Sequence, residues 1–311
     1  MKNKYRNLIV MLVMIWLMLE VLIQKELVFD TIAYSLNVWV KNLLPSMFPF
    51  FVISGILVEY HITNYIPKWI KKTFCLLFGV KESLITIFFL SCFSGFPSNA
   101  RITRMMYDRK EINAIEASHA LVFTHFSNPI FILNTVAIFF LRQEKYGYLI
   151  LISHFLGNVI LGIVTRKSEY FEYIDYTEKL EKSQSFSKIL IQSIRSAIDT
   201  SLLILGTLTC FLIFSTIIIH KFSFNLYSGV IIKGVLEITM GLKELALLNI
   251  SDIYKIVISS CLLSFGGLSV HLQVLSQIVD TDISYQPFFV ARIFHAIISG
   301  GICFFLYIIF F

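Results

Sequence analysis

Residues 91–99 read Ser91-Cys92-Phe93-Ser94-Gly95-Phe96-Pro97-Ser98-Asn99. They follow an uncharged apolar run, Leu84 to Phe93, and lead straight into a basic segment, Ala100 to Lys110. Gly95 favours a turn and Pro97 lacks a backbone donor, so no lipid-exposed helix continues through them. The apolar run is also about half the ~20 residues that a spanning helix needs. The pattern predicts a re-entrant hairpin: a short helix that enters the membrane, breaks on small polar residues and returns to a basic face. Irregular backbone at membrane depth requires protein or a water-filled cavity around it. The tip is therefore expected to line a polar cavity, with a matching tip supplied by the second half of the chain.

The rest of the composition agrees with a membrane setting. The 311 residues are 57% hydrophobic and 15% charged, with a mean hydropathy of +0.77, against ~25% charged in soluble domains. Leu8 to Leu19 is apolar on every side rather than alternating, which excludes a β-barrel and makes the protein an all-α polytopic membrane protein. The formal charge of +6 comes from Lys and Arg in short loops beside apolar runs. That is the signature of membrane orientation, not of nucleic-acid binding. Five cysteines (Cys75, Cys92, Cys210, Cys261, Cys303) are scattered without a CxxC pair, so neither a disulfide framework nor a zinc site is suggested. The basic N-terminus before a long apolar run reads as an uncleaved signal-anchor, residues 1–27.

In chain order, residues 8–24 are expected to span from a cytoplasmic N-terminus. Residues 28–43 have the apolar spacing of an interfacial or bundle-packed helix, and a second span at 46–62 begins between Pro45 and Pro49. Trp69 stands among Lys68, Lys71 and Lys72 as an interface anchor. The hairpin 84–110 follows. Ile112 to Leu141 is a span broken at Ser127-Asn128-Pro129, because Pro129 removes a backbone bond. Residues 147–165 cross back, and 166–188 form a polar cytoplasmic linker. Beyond it lie an amphipathic piece (189–199), a span (201–219), a polar stretch (229–248) interrupted at Gly241, a half-helix (253–263) ending in Ser264-Phe-Gly-Gly-Leu-Ser269, a return helix (270–279) and a last span (287–311).

The two halves echo one another. Ser91-Cys92 and the tip to Ser98 pair with Ser260-Cys261 and the tip to Ser269, and each is followed by a polar return helix and an apolar span bearing a His. The first hairpin has a Lys/Arg rim and is expected to open inward. The second has a rim of Asp252, Asp280 and Asp282 and is expected to open outward, with both termini cytoplasmic. The expected domains are two membrane repeats, 28–165 and 189–311, of opposite orientation. Such inverted repeats build secondary transporters, whose broken helices meet near the midplane.

Ser94-Gly-Phe-Pro-Ser-Asn-Ala100, Glu116 to Pro129, Gly234-Val-Leu-Glu-Ile-Thr-Met-Gly241 and Leu263-Ser-Phe-Gly-Gly-Leu-Ser-Val-His-Leu-Gln273 resemble the YlbJ-type sporulation integral membrane proteins, within the nucleoside-recognition (Gate) domain group. The resemblance covers about 30 to 311. It implies a multi-pass inner-membrane protein of endospore-forming or related bacteria with two Gate-like units, and it leaves the solute unnamed.

The expected substrate-binding residues are Ser94, Gly95, Ser98, Asn99, Asn128, Glu237, Ser264, Gly266, Gly267, Ser269, His271 and Gln273, with Pro97, Pro129 and Gly241 as kinks. Glu237, His271, Arg292 and His295 stand out because ionisable groups are costly within a membrane. The bland reading of Glu237 is an ion pair with Lys233 or Arg292; that of Gly266 and Gly267 is tight helix packing. Arg101, Arg104 and Arg109 read as topology determinants. His119 and His125 are six apart and share no helical face, so they make a poor metal site, and no Walker, Rossmann or GxSxG motif occurs. No catalytic residue, metal or cofactor is expected. The expected function is a permease for a small polar solute or ion, with an envelope-assembly role in spore cortex or coat as the alternative. The expected partners are the lipid bilayer, that solute, and a second copy or another membrane protein.

Overall fold

The computed structural model describes residues 2–166 and 185–311, without the side chains of Lys2 and Asn3. The described residues are all helix and connecting turn. Most of the 166–188 linker expected from the sequence, residues 167–184, lies outside them. Among the described residues, six helices are long and apolar enough to cross a membrane: Lys4–Ile23, Lys25–Glu59, Glu144–Val164, Phe186–Phe222, Asp252–Ile278 and Gln286–Phe310. The protein is a multi-pass α-helical membrane protein.

Helix α1 (Lys2–Ile23) is followed by α2 (Lys25–Val38), a π-helical turn (Trp39–Leu43) and α3 (Leu44–Glu59). The sequence suggested separate helices at 28–43 and 46–62; they are one rod. The widened turn stands just before Pro45, whose ring would meet the carbonyl four residues back in a regular α-helix. One extra residue in that turn moves the carbonyl aside, so the rod continues. After α4 (Lys68–Phe78), helices α5 (Leu84–Ser94) and α6 (Ser98–Asp108) fold back on each other. Helix α7 (Ala114–Phe123) opens with a capping box: Asn113 accepts from Ile115 and Glu116 N–H, and Glu116 accepts from Asn113 N–H. A non-helical stretch, 124–128, then separates α7 from a π-helical segment, Phe131–Phe140, so the expected break at Ser127-Asn128-Pro129 is present.

Helix α8 (Glu144–Val164) precedes the undescribed segment. The amphipathic piece and span expected at 189–199 and 201–219 are a single helix, α9 (Phe186–Phe222), because no Gly or Pro interrupts the register until Gly206, which sits in open space. The polar stretch 229–248 is two helices, α10 (Leu226–Leu236) and α11 (Ile238–Leu247), folded against each other. They are broken at Glu237, not at Gly241. Gly241 lies inside α11, where a Cβ would stand 2.1 Å from the Cα of Gly234. It is a packing glycine that lets α10 and α11 touch backbone to backbone. Helix α12 (Asp252–Phe265) meets α13 (Gly267–Ile278) at Gly266, and α14 (Gln286–Phe310) closes the chain.

Polar contacts identify the two ends of the bundle. Helix α8 has 21 residues and is about 31 Å long at 1.5 Å per residue. At its start, the Tyr146 hydroxyl donates to Asp252 at 2.7 Å. Just past its finish, Thr165 bonds His119 of α7 at 3.2 Å. Beside His119, the Ser118 hydroxyl accepts from Ser284 N–H at 2.8 Å, which brings the loop with Asp280 and Asp282 to that end. There Arg104 pairs with Asp280 and donates to the Gln277 carbonyl at 3.2 Å, and Tyr107 reaches Asp282 at 3.4 Å.

The acidic rim inferred from sequence is therefore divided: Asp280 and Asp282 cover the basic mouth of α5–α6, while Asp252 lies at the opposite end. Helices α12 and α13 do not pair along their lengths. Helix α12 packs on α14, α8 and α11; α13 packs on α9, α6 and α10. They form a broken rod between the two ends, and the fold-back pair of the second half is α10–α11, whose mouth lies at the Asp252 end.

The interior is packed by Phe51, Phe131, Leu208, Leu212, Val230 and Leu263 in one cluster, and by Phe74, Phe78, Ile102, Phe123 and Phe288 in another. Lipid is as apolar as these side chains, so close packing and interhelical hydrogen bonds hold the body together rather than escape from water. Helix α1 has little of either: only 6% of its span is buried, and Lys221 of α9 pairs with its Glu20 at 2.7 Å.

Candidate functional site

Four interruptions of helix meet inside this body. The first is the α5–α6 tip. Gly95 has φ +74°, and a Cβ there would stand 2.7 Å from the backbone nitrogen of Asn128, so only glycine fits the approach of the tip to the second break. The second is the non-helical stretch 124–128. Phe96 stacks on the His125 ring with centroids 4.9 Å apart. The third is the α10–α11 tip at Glu237. The fourth is the α12–α13 joint, where Gly266 and Gly267 have φ +92° and +69°. A Cβ on Gly266 would lie 3.1 Å from His125 Nε2, and one on Gly267 would lie 3.2 Å from Ile238 N. The fourth break thus touches both the second and the third.

A cavity of about 20 Å³ lies among them. It is lined by Phe96 of the first tip, Glu237, Ile238 and Thr239 of the third, Ser269, Val270 and Gln273 of α13, and apolar residues of α3, α9 and the Phe131 segment. That volume holds about one water molecule. Glu237 is the charged side chain on its wall. Its carboxylate caps α11, accepting from Thr239 N–H at 3.0 Å and Met240 N–H at 2.9 Å. The positive end of α11 faces this buried anion. Neither expected cation reaches it: Lys233 pairs with Glu244 at 2.5 Å, and Arg292 is engaged elsewhere.

The remaining expected residues divide by what they touch. Ser269 and Gln273 line the cavity, and Gln273 donates to Thr207 of α9 at 2.9 Å. Ser98 and Asn99 are fully buried in the first turn of α6, and the Ser98 hydroxyl and Asn99 amide nitrogen have no hydrogen-bond partner among the described residues. Asn128 is occupied by backbone: it donates to the Ser46 and Phe93 carbonyls at 2.9 and 2.8 Å and accepts from Ile130 N–H at 2.8 Å. Pro129 then opens the following helical turn, where its missing N–H needs no acceptor. Ser94 donates to Leu90 of its own helix at 2.8 Å. His271 accepts from the Tyr285 hydroxyl at 2.6 Å and donates to the Phe265 carbonyl at 3.0 Å, so it braces the fourth break rather than facing the cavity. Ser264 bonds His154 at 2.9 Å. Pro97 precedes α6 as its N-terminal flank.

Sequence reasoning passed over His154 and Asn158 by treating α8 as an ordinary span. Both are fully buried. The signal available was a polar pair four residues apart on an otherwise apolar helix, which puts both on one face. Thr207 and Thr239 were missed for a different reason: a threonine in an apolar run is commonplace, and only the fold shows what it faces.

No protein-family profile matches the chain, and no solved structure matches it. A curated relative does: the chain is 25% identical over 334 aligned positions, covering 96% of this chain and 82% of the other, to "Sporulation integral membrane protein YlbJ" of Bacillus subtilis (strain 168). The chain, with its six long apolar spans and buried meeting of helix breaks, is a distant homologue of the YlbJ-type sporulation integral membrane proteins.

Proposed function

We propose that this protein is a sporulation-associated permease of the inner membrane, carrying a small polar solute or ion through the place where the helix breaks meet. The observation that carries the reading is Glu237, a carboxylate on the wall of an internal cavity between two helix tips, with no ion-pair partner among the described residues. Helix breaks in a membrane body leave backbone groups and dipole ends available to a solute, and transporters of the inverted-repeat type place them at the midplane.

The packing supports a repeat in a register different from the Ser91/Ser260 match. Helices α5–α6 correspond to α10–α11, the broken α7–Phe131 segment to the broken α12–α13, and α8 to α14. Neighbours agree with this pairing: α6 packs on α7 as α11 does on α12, α7 on α14 as α12 does on α8, and α3 on α9. The two fold-back pairs open at opposite ends, which supports the reading of the units 28–165 and 189–311 as inverted. The broken α7 rod adds a crossing to the six long helices. On this reading the chain crosses an odd number of times, with the N-terminus in the cytoplasm by its basic flank and the C-terminus on the other face, rather than both in the cytoplasm as the sequence suggested.

Thermal stabilisation of the purified protein by nucleosides, nucleobases, small organic acids and metal ions tests the reading. A ligand that binds only the folded state raises stability with ln(1 + [L]/Kd). A stabilising ligand whose effect disappears in Glu237→Gln and Ser269→Ala establishes the permease and its cargo class. A second reading, a non-transporting protein of spore cortex or coat assembly, is favoured by the small size of the cavity. It prevails if no ligand stabilises the protein and Glu237→Gln leaves sporulation intact.

A further inference from the structure

The non-helical stretch 124–128 leaves backbone groups without helical partners in the middle of the body, and side chains of α8 and α14 satisfy them. Arg292 of α14, fully buried, donates to the Val122 carbonyl at the C-terminal turn of α7. The same guanidinium donates to Asn158 Oδ1 at 3.3 Å and to His295 Nδ1 at 2.7 Å. Asn158 in turn donates to the His125 carbonyl at 2.7 Å. His154 accepts from Ser127 N–H on Nε2 at 2.9 Å. That bond leaves the ring proton on Nδ1, which donates to the Ser264 hydroxyl at 2.9 Å. His295 has the opposite tautomer, because Nε2–H donates to the His154 carbonyl at 2.8 Å while Nδ1 accepts from Arg292. The two imidazoles stand 4.8 Å apart, centroid to centroid.

We propose that Arg292, Asn158, His295 and His154 form a polar splint that ties the break at 124–128 to the break at Ser264–Gly266, so that the two broken helices hold one mutual geometry. These are positioning residues; none of them lines the cavity. The splint is independent of whether a solute occupies that cavity. Its physical basis is twofold. A buried guanidinium placed on the carbonyl end of α7 is favoured by the helix dipole. A backbone donor or acceptor left unmatched in the same place would be strongly disfavoured.

Amide hydrogen exchange of the full chain in lipid nanodiscs reads the tie directly. His154→Leu is expected to raise exchange about tenfold, the change typical of one lost buried hydrogen bond, in segment 124–130 and also in segment 262–270. His154→Gln, which keeps one acceptor and one donor, is expected to restore both. Ser264→Ala, a small change made only at the second break, is expected to raise exchange at Ser127 through His154. It also provides the test if His154→Leu does not fold. Loosening confined to the segment that is altered, or failure of His154→Gln to restore either segment, overturns the splint.

Discussion

Glu237 and Arg292 are ionisable groups deep inside a membrane protein, and no ion pair reaches either among the described residues. Each is instead placed at a helix end of complementary sign, Glu237 at the N-terminus of α11 and Arg292 on the Val122 carbonyl in the last turn of α7. That placement explains why the breaks and the charges coincide: a broken rod exposes dipole ends that a continuous one cancels. Glu237→Ala is expected to destabilise the protein by about 1 kcal/mol through the lost cap, and Glu237→Gln by less, as read by thermal unfolding in detergent. Gly95→Ala places a side chain at φ +74° and into Asn128. Strain of this kind costs of order 1–3 kcal/mol, so the apparent Tm is expected to fall well below that of an Ala substitution at the exposed Gly301.

At the scale of elements, two contacts decide how the tips are held. Helices α10 and α11 meet through Gly234 and Gly241. Gly241→Ala must push the pair apart, and overpacking typically costs 1–3 kcal/mol. A loss of stabilisation by any Glu237-dependent ligand should accompany the lower Tm. The other contact joins α6 to the loop after α13. The Arg104 guanidinium beside Asp280 holds that carboxyl below its ordinary range. A depressed folded-state pKa contributes stability above the unfolded value, near ~3.9, and the contribution is lost as pH falls through the folded value. Asp280→Asn is therefore expected to lower Tm at neutral pH, with the two curves converging below about pH 4. The exposure of Asp280 keeps this effect small and salt-sensitive.

For the whole molecule, the proposed odd number of crossings predicts that reporters fused to the two termini lie on opposite faces of the membrane. Fusions reporting the same face would remove the broken α7 rod as a crossing. Much of this body was legible in the sequence. All-round apolar runs announced the spans, because lipid contact demands them on every side. Gly95-Phe96-Pro97 announced the first tip, and Pro129 the break in the rod that follows α7, because these residues restrict the backbone whatever surrounds them. Glu237 was legible as a candidate because charge is rare at such depth. What the sequence could not determine was partnership. The sequence pointed to Gly241 for the break in 229–248, and only its contact with Gly234 showed it to be a packing glycine, with the break at Glu237 instead. Asp280 and Asp282 looked like an outward rim until Arg104 and Tyr107 proved to be beneath them. His154 and Asn158 were silent in an apolar helix until tertiary packing brought them to the frayed backbone of 124–128. Local chain stiffness and hydrophobicity are properties of residues in order. Which freed carbonyl meets which donor is a property of distances across the bundle, and those exist only once the helices have packed.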